Sequence, residues 1–173
     1  MATNEILPLV DEQGNIIGSA ERSRCHSPEK LLHPVVHLHV IDSQGRILLQ
    51  LRSMTKKIQP GKWDTAVGGH VDFGESIEAA LHREVSEEIG LHEFIPEKVA
   101  TYLFESEVER ELINSYVARV SGEFVPQVEP TDIDELRFFT IREVELMIAQ
   151  GLTTPNFARE FTDLILPRLK AYD

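Results

Sequence analysis

The chain holds one cysteine, Cys25, and so cannot close a disulfide within itself. A lone thiol suits a reducing compartment. No apolar run approaches the roughly 18 residues that a membrane span needs. The opening stretch, MATNEILPLVDEQGN, has neither a basic leader nor an apolar segment, so secretion is not expected and a cytoplasmic location is. Cations are scarce: 17 Lys and Arg stand against 29 Asp and Glu, a formal net charge of −12. Gripping a nucleic-acid backbone needs a basic footprint, which this balance argues against. Phosphorylated small molecules remain open, provided a cation or local Lys and Arg offset the repulsion. Repeats, low-complexity tracts and Gly/Ser/Pro-rich linkers are missing too, so the 173 residues read as one domain. Its 42% apolar and 27% charged residues are ordinary for a globular protein.

What is present is patterned. Residues 6–22, ILPLVDEQGNIIGSAER, read as a hairpin around Gly14 and Asn15. Residues 34–52, PVVHLHVIDSQGRILLQLR, read as two strands joined by a turn-rich tetrad at 42–45. SMTKKIQPGKW, at 53–63, is a basic loop punctuated by Pro and Gly. Ile77, Leu81, Val85 and Ile89 recur every four residues and predict a helix, with Ser76 as its N-cap and Gly90 as its stop. Residues 93–139 look mostly extended, with Pro126 and Pro130 in a turn region, and IREVELMIAQG and NFAREFTDLILPRLKAY read as closing helices. This order predicts a mixed sheet covered on both faces.

The central helix raises a physical question. Glu84, Glu87 and Glu88 are related by three and four residues and crowd together, where like charges destabilise a helix by a few tenths of a kcal/mol per pair. Glu84 and Glu88 project at the near edge of the apolar stripe, with Glu87 beside them. They form either a solvated acidic face or a nest of hard oxygen ligands for Mg²⁺ or Mn²⁺.

The surrounding residues favour the second reading. Gly69, Glu75, Arg83-Glu84-Val85 and Glu87-Glu88-Ile89-Gly90-Leu91 match the Nudix box across 69–91 without a mismatch. Chance would produce such a match in roughly one chain in ten million. The sequence therefore resembles the Nudix hydrolase superfamily. That resemblance implies an α/β (α+β) fold, an α/β/α sandwich with a mixed sheet between helices. It also implies a divalent metal, Mg²⁺ or Mn²⁺, held by Glu84, Glu87, Glu88 and the Gly69 backbone, and cleavage of a diphosphate linkage. Gly69 through Gly74 are expected to form a loop. Glu87 or Glu84 would serve as base toward water. Arg83 would either pair with Glu75 or touch phosphate.

Three further stretches, RSRCHSPEKLLHPVV, LLQLRSMTKKIQPGKWDTAVGGHV and VERELINSYVARV, are similar to the isopentenyl-diphosphate isomerase branch of that superfamily. The likeness implies a second metal site at His26, His33, His70, Glu109 and Glu111, and a diphosphate held by Arg22, Arg52, Lys56 and Arg83. His37, His39, His82 and His92 read as ordinary surface or core residues. Trp63 would pack in the core or stack on a base or prenyl group. The isomerases carry a cysteine where this chain has Gly68, which has no side chain to move a proton.

The expectation is a Mg²⁺-dependent hydrolase on an isomerase-like scaffold, acting on a small-molecule diphosphate and not on nucleic acid or membrane, with a homodimer possible. Its single domain would span 1–173, with the hairpin and lead-in over 1–32 and the core over 33–165. An isomerase and a non-catalytic Nudix sensor domain are the alternatives.

Overall fold

Period-two alternation builds the sheet. The computed structural model describes residues 5–128 and 133–170; Pro130, expected in a turn, lies outside them. Strands β1 (Ile6–Val10) and β2 (Ile16–Glu21) pair antiparallel as a ribbon. Asp11 closes its turn by accepting the N–H groups of Gln13 and Asn15. The ribbon stops one residue short of the expected end. Arg22 instead opens a single helical turn, α1 (Arg22–Cys25), which seats Cys25 against Leu7 and Ala20.

Among the described residues the main sheet has seven strands. At its centre β3 (His33–Ile41) runs parallel to β8 (Arg110–Arg119) along its whole length, and β8 pairs antiparallel with β7 (Glu97–Glu105). The other edge of β3 is shared. Its first half pairs with β6 (Val67–His70), while β4 (Ile47–Arg52) meets it at Ile41. Onto β4 are added β5 (Trp63–Thr65) and β9 (Ile133–Phe139). Gly69 through Gly74 were expected to form a loop; Gly69 and His70 instead end a strand, and the loop begins at Val71.

Alternation along β3 sorts the core into two layers. Val36, Leu38 and Val40 pack with Leu81, Val85 and Ile89 of helix α2 (Ile77–Ile89). On the opposite face Ile41, Ile47, Leu49, Val117 and Phe139 pack with helix α3 (Ile141–Ala149) and with Phe157, Phe161 and Ile165. Full burial of each such side chain stabilises the fold by about 1.5–3 kcal/mol. The result is the expected mixed sheet between helices.

The caps of α2 are those expected. Ser76 Oγ accepts the Ala79 N–H at 3.1 Å, and Gly90 takes the left-handed conformation at φ 71°. The final helix differs. It starts at Pro155, capped by Thr154, and divides into α4 (Pro155–Glu160), a π-helical turn (Phe161–Ile165) and α5 (Leu166–Lys170). Pro167 has no N–H for the Asp163 carbonyl, and its ring would crowd that carbonyl in a regular α-turn. Widening the preceding turn relieves both.

Candidate active site on two faces of one strand

The register of β6 against β3 decides the layout. Gly68 stands beside His37, Gly69 beside Val36 and His70 beside Val35. Successive residues point to opposite faces. Gly69 therefore looks toward α2, where a Cβ would overlap the Glu84 carboxylate, while a Cβ at Gly68 would meet the His37 ring on the other face.

On the α2 side, Glu88 carries its carboxyl inward. Its Oε1 lies 3.4 Å from Gln50 Nε2, and its Oε2 is buried with no hydrogen-bond partner. Burial first, and the neighbouring Glu84 second, push its pKa well above the usual carboxylate range. Glu84 is half-buried, and Glu87 leaves most of its side chain in solvent. A divalent cation fits this group. The orphaned oxygen needs a partner, hard carboxylate oxygens suit such an ion, and the bare Gly69 backbone leaves room for Glu84. Arg83 braces the arrangement: it donates to both oxygens of Glu75 at 2.8 and 2.9 Å, to Glu84 at 2.9 Å and to the His70 carbonyl at 3.1 Å. The loop, the helix and β6 are thereby tied together.

On the opposite face His26, His33, His70 and Glu111 bring one ligand atom each within 4.8 Å of one another. The three imidazoles form a triangle with ring centroids 5.3 Å apart. Two of them are oriented by the backbone. His26 Nδ1 lies 3.0 Å from the Arg22 carbonyl and His33 Nδ1 2.8 Å from the Leu31 carbonyl, which turns each Nε2 to the cluster. His33 Nε2 is buried without a hydrogen bond, 3.7 Å from Glu111. Burial lowers the pKa of His26, and burial with the Arg22 charge lowers that of His70 to about 3, so both stay neutral, as metal ligation requires. A first-row divalent ion fits this nitrogen-rich set. Glu109 is not within the tight group, although burial and the adjacent Glu111 raise its pKa to about 7.

The cations expected to share one diphosphate have acidic neighbours within the protein. Arg22 pairs with Glu5 at 3.2 Å, and its charge is felt at His26 and His70. The charge of Lys56 is felt at Glu88. Arg52 holds Asp64 at 3.3 Å and the Ile58 carbonyl, and its charge reaches Glu109. Trp63 packs edge-on against Phe139 at 4.9 Å, with Arg137 over its ring.

One group went unread in the sequence. Glu160, at the end of α4, is buried at 2% exposure and accepts from four side chains. His37 Nδ1, at 2.9 Å, and the Tyr102 hydroxyl reach Oε1; Ser115 Oγ, at 2.9 Å, and His39 Nε2 reach Oε2. His39 thus serves the sheet interior, in line with a core role, while His37 keeps one edge toward Gly68. No local signal marks Glu160, because its partners lie 45 to 123 residues away.

A glutamate-bearing helix after a glycine strand, on a mixed sheet between helices, defines a class. The chain belongs to the Nudix family, whose domain matches residues 31–163. Among curated proteins it is 34% identical over 163 residues to the isopentenyl-diphosphate Delta-isomerase of Serratia proteamaculans (strain 568), covering 87% of this chain and 89% of that protein. It is 35% identical over 130 residues to an uncharacterized Nudix hydrolase of Streptomyces coelicolor, covering 74% and 71%. Among solved structures, the DR0079 protein of Deinococcus radiodurans superposes with a TM-score of 0.76 at 26% identity, over 90% of this chain and 96% of that one. Among the described residues, no helix is long and apolar enough to cross a membrane.

Proposed function

We propose that this Nudix protein hydrolyses the diphosphate linkage of a small phosphorylated metabolite, using Mg²⁺ or Mn²⁺ held by Glu84, Glu87, Glu88 and the Gly69 backbone. The observation that carries this reading is the unpartnered, buried Glu88 Oε2 beside Glu84, an oxygen that a bound cation would satisfy. When bound, the metal would acidify a water and offset charge on the phosphate oxygens. The protein's own groups do the rest. Glu87, open to solvent, takes the proton from water, while Glu84 is committed to Arg83. Arg83 is a positioning residue that fixes Glu84 and the 71–76 loop. Arg22, Arg52 and Lys56 supply positive charge toward the diphosphate. A cytoplasmic location belongs to the same reading.

Double-bond isomerisation is the second reading, favoured by the three-histidine cluster and by relatives that bear that name. Gly68 weighs against it, since no thiol stands over the cleft to deliver a proton. The two are separated by incubating the protein with isopentenyl diphosphate and nucleoside diphosphate derivatives in Mg²⁺, followed by ³¹P and ¹H NMR. Metal-dependent phosphate release that fails in Glu87→Gln is the expected result. Double-bond migration without phosphate release would overturn it.

A further inference from the structure

The Glu160 knot has an open end. Its carboxylate fixes the proton of His37 on Nδ1, because a carboxylate can only accept. The opposite nitrogen, Nε2, makes no hydrogen bond among the described residues, and the side chain retains 12% exposure. It looks onto Gly68, which is itself exposed; a Cβ there would come within 3.4 Å of the ring Cδ2 and 3.6 Å of Nε2. The missing side chain leaves the imidazole edge facing the cleft. Burial works against a charge on His37, yet the Glu160 carboxylate, helped by Asp64 and Glu111, raises its pKa to about 9, so near neutral pH Nε2 carries a proton as well as Nδ1.

His37 shares its face of the sheet with the histidine cluster. Four residues separate it from His33 on β3, about 13 Å at strand rise. On β6, Gly68, level with His37, and His70, level with Val35, lie two residues apart on this same face. Ser115, level with His37 on β8, and Tyr102, beside Ile113 on β7, both donate to Glu160 and complete the clamp. A ligand anchored near His26, His33 and His70 and extending along β6 therefore passes over the exposed Gly68 and meets the edge of His37.

We propose that His37, clamped by Glu160, is a substrate-binding donor whose Nε2 contacts an acceptor oxygen on the part of the ligand lying over Gly68. This end of the cleft then selects a diphosphate bearing a polar, oxygen-rich group over one bearing a hydrocarbon. The inference rests on the diphosphate reading above but concerns binding alone, so it is tested without turnover.

The test is an NMR titration of the histidine ring nitrogens, with the His37 signals assigned by their loss in His37→Gln. Probes are inorganic pyrophosphate, UDP-glucose and isopentenyl diphosphate, each with Ca²⁺ in place of Mg²⁺ to suppress hydrolysis. UDP-glucose is expected to shift His37 Nε2 and to bind at least tenfold more tightly than isopentenyl diphosphate. His37→Gln should reduce that preference to threefold or less, with pyrophosphate affinity changed by under twofold. Should that variant fail to fold, Gly68→Ala keeps the Glu160 clamp and places a methyl against the ring, with the same selective loss expected. An unshifted His37 signal throughout the panel, equal affinity for the two substituted diphosphates, or an equal loss of all three probes would overturn the proposal. Failure of the hydrolase reading would show separately, as missing phosphate release in Mg²⁺.

Discussion

Glu88 is a carboxyl group buried beside another carboxylate, with one oxygen unsatisfied. A carboxyl whose folded pKa is raised costs stability as pH climbs above its unfolded value of 4.5, and most of that cost is electrostatic. Glu88→Gln should therefore leave the metal-free protein at least as stable as wild type by urea midpoint. The same change should lower kcat by about 100-fold or more, roughly 3 kcal/mol of transition-state stabilisation. Wild-type turnover in this variant would remove Glu88 from the site. Gly69→Ala tests the neighbouring requirement. Its Cβ would displace the flexible end of Glu84, not backbone. Folding should survive with a midpoint close to wild type, while activity falls at least tenfold. A variant with full activity would show that Glu84 has another place to go.

The helix that carries these glutamates owes its stability to packing and its ends to caps. Replacing Ser76 by alanine removes the acceptor for the Ala79 N–H and should cost about 1 kcal/mol in urea unfolding. Saturating Mg²⁺ should work in the other direction. At a hundred times its dissociation constant, a cation that binds only the folded state stabilises by about 2.7 kcal/mol. Glu84→Gln combined with Glu88→Gln should abolish most of that increment, and a melting temperature indifferent to Mg²⁺ in wild type would count against a preformed site. The same helix was fully legible in the sequence, because Ile77, Leu81, Val85 and Ile89 complete several turns between recognisable caps. α1, β5 and β6 were not, since three or four residues never complete a convincing period. The π-helical turn before Pro167 depends on a ring meeting a carbonyl, which a periodic pattern does not encode.

At the scale of the whole molecule, Glu160 joins β3, β7 and β8 to α4 through one buried charge. Burial raises and its histidine partners lower the pKa of Glu160; the net shift is downward, so its contribution is present above pH 4.5 and fades as acid overtakes the folded value. His37 is raised from 6.5 to about 9, so its contribution is full below pH 6.5 and fades as pH rises through 9. The urea midpoint of wild type should hold between these limits and fall toward pH 9, and the fall should be shallower in His37→Gln. Parallel curves would remove the pair from the pH response. None of this could be read from the chain, where Glu160 is one acidic residue in a helical pattern. The glutamates of α2 were legible because they sit within five residues of one another; the knot was not, because folding alone assembles it.

The strand Val67–His70 has one further consequence. It works as a party wall: Gly69 furnishes one room and Gly68 with His70 the other, so each room can be refitted without touching its neighbour. Gly68→Cys would set its Cβ in van der Waals contact with the His37 ring and leave the Glu84 side alone. Deleting a single residue from this wall, by contrast, would exchange the two sets of furnishings at once and silence both rooms together.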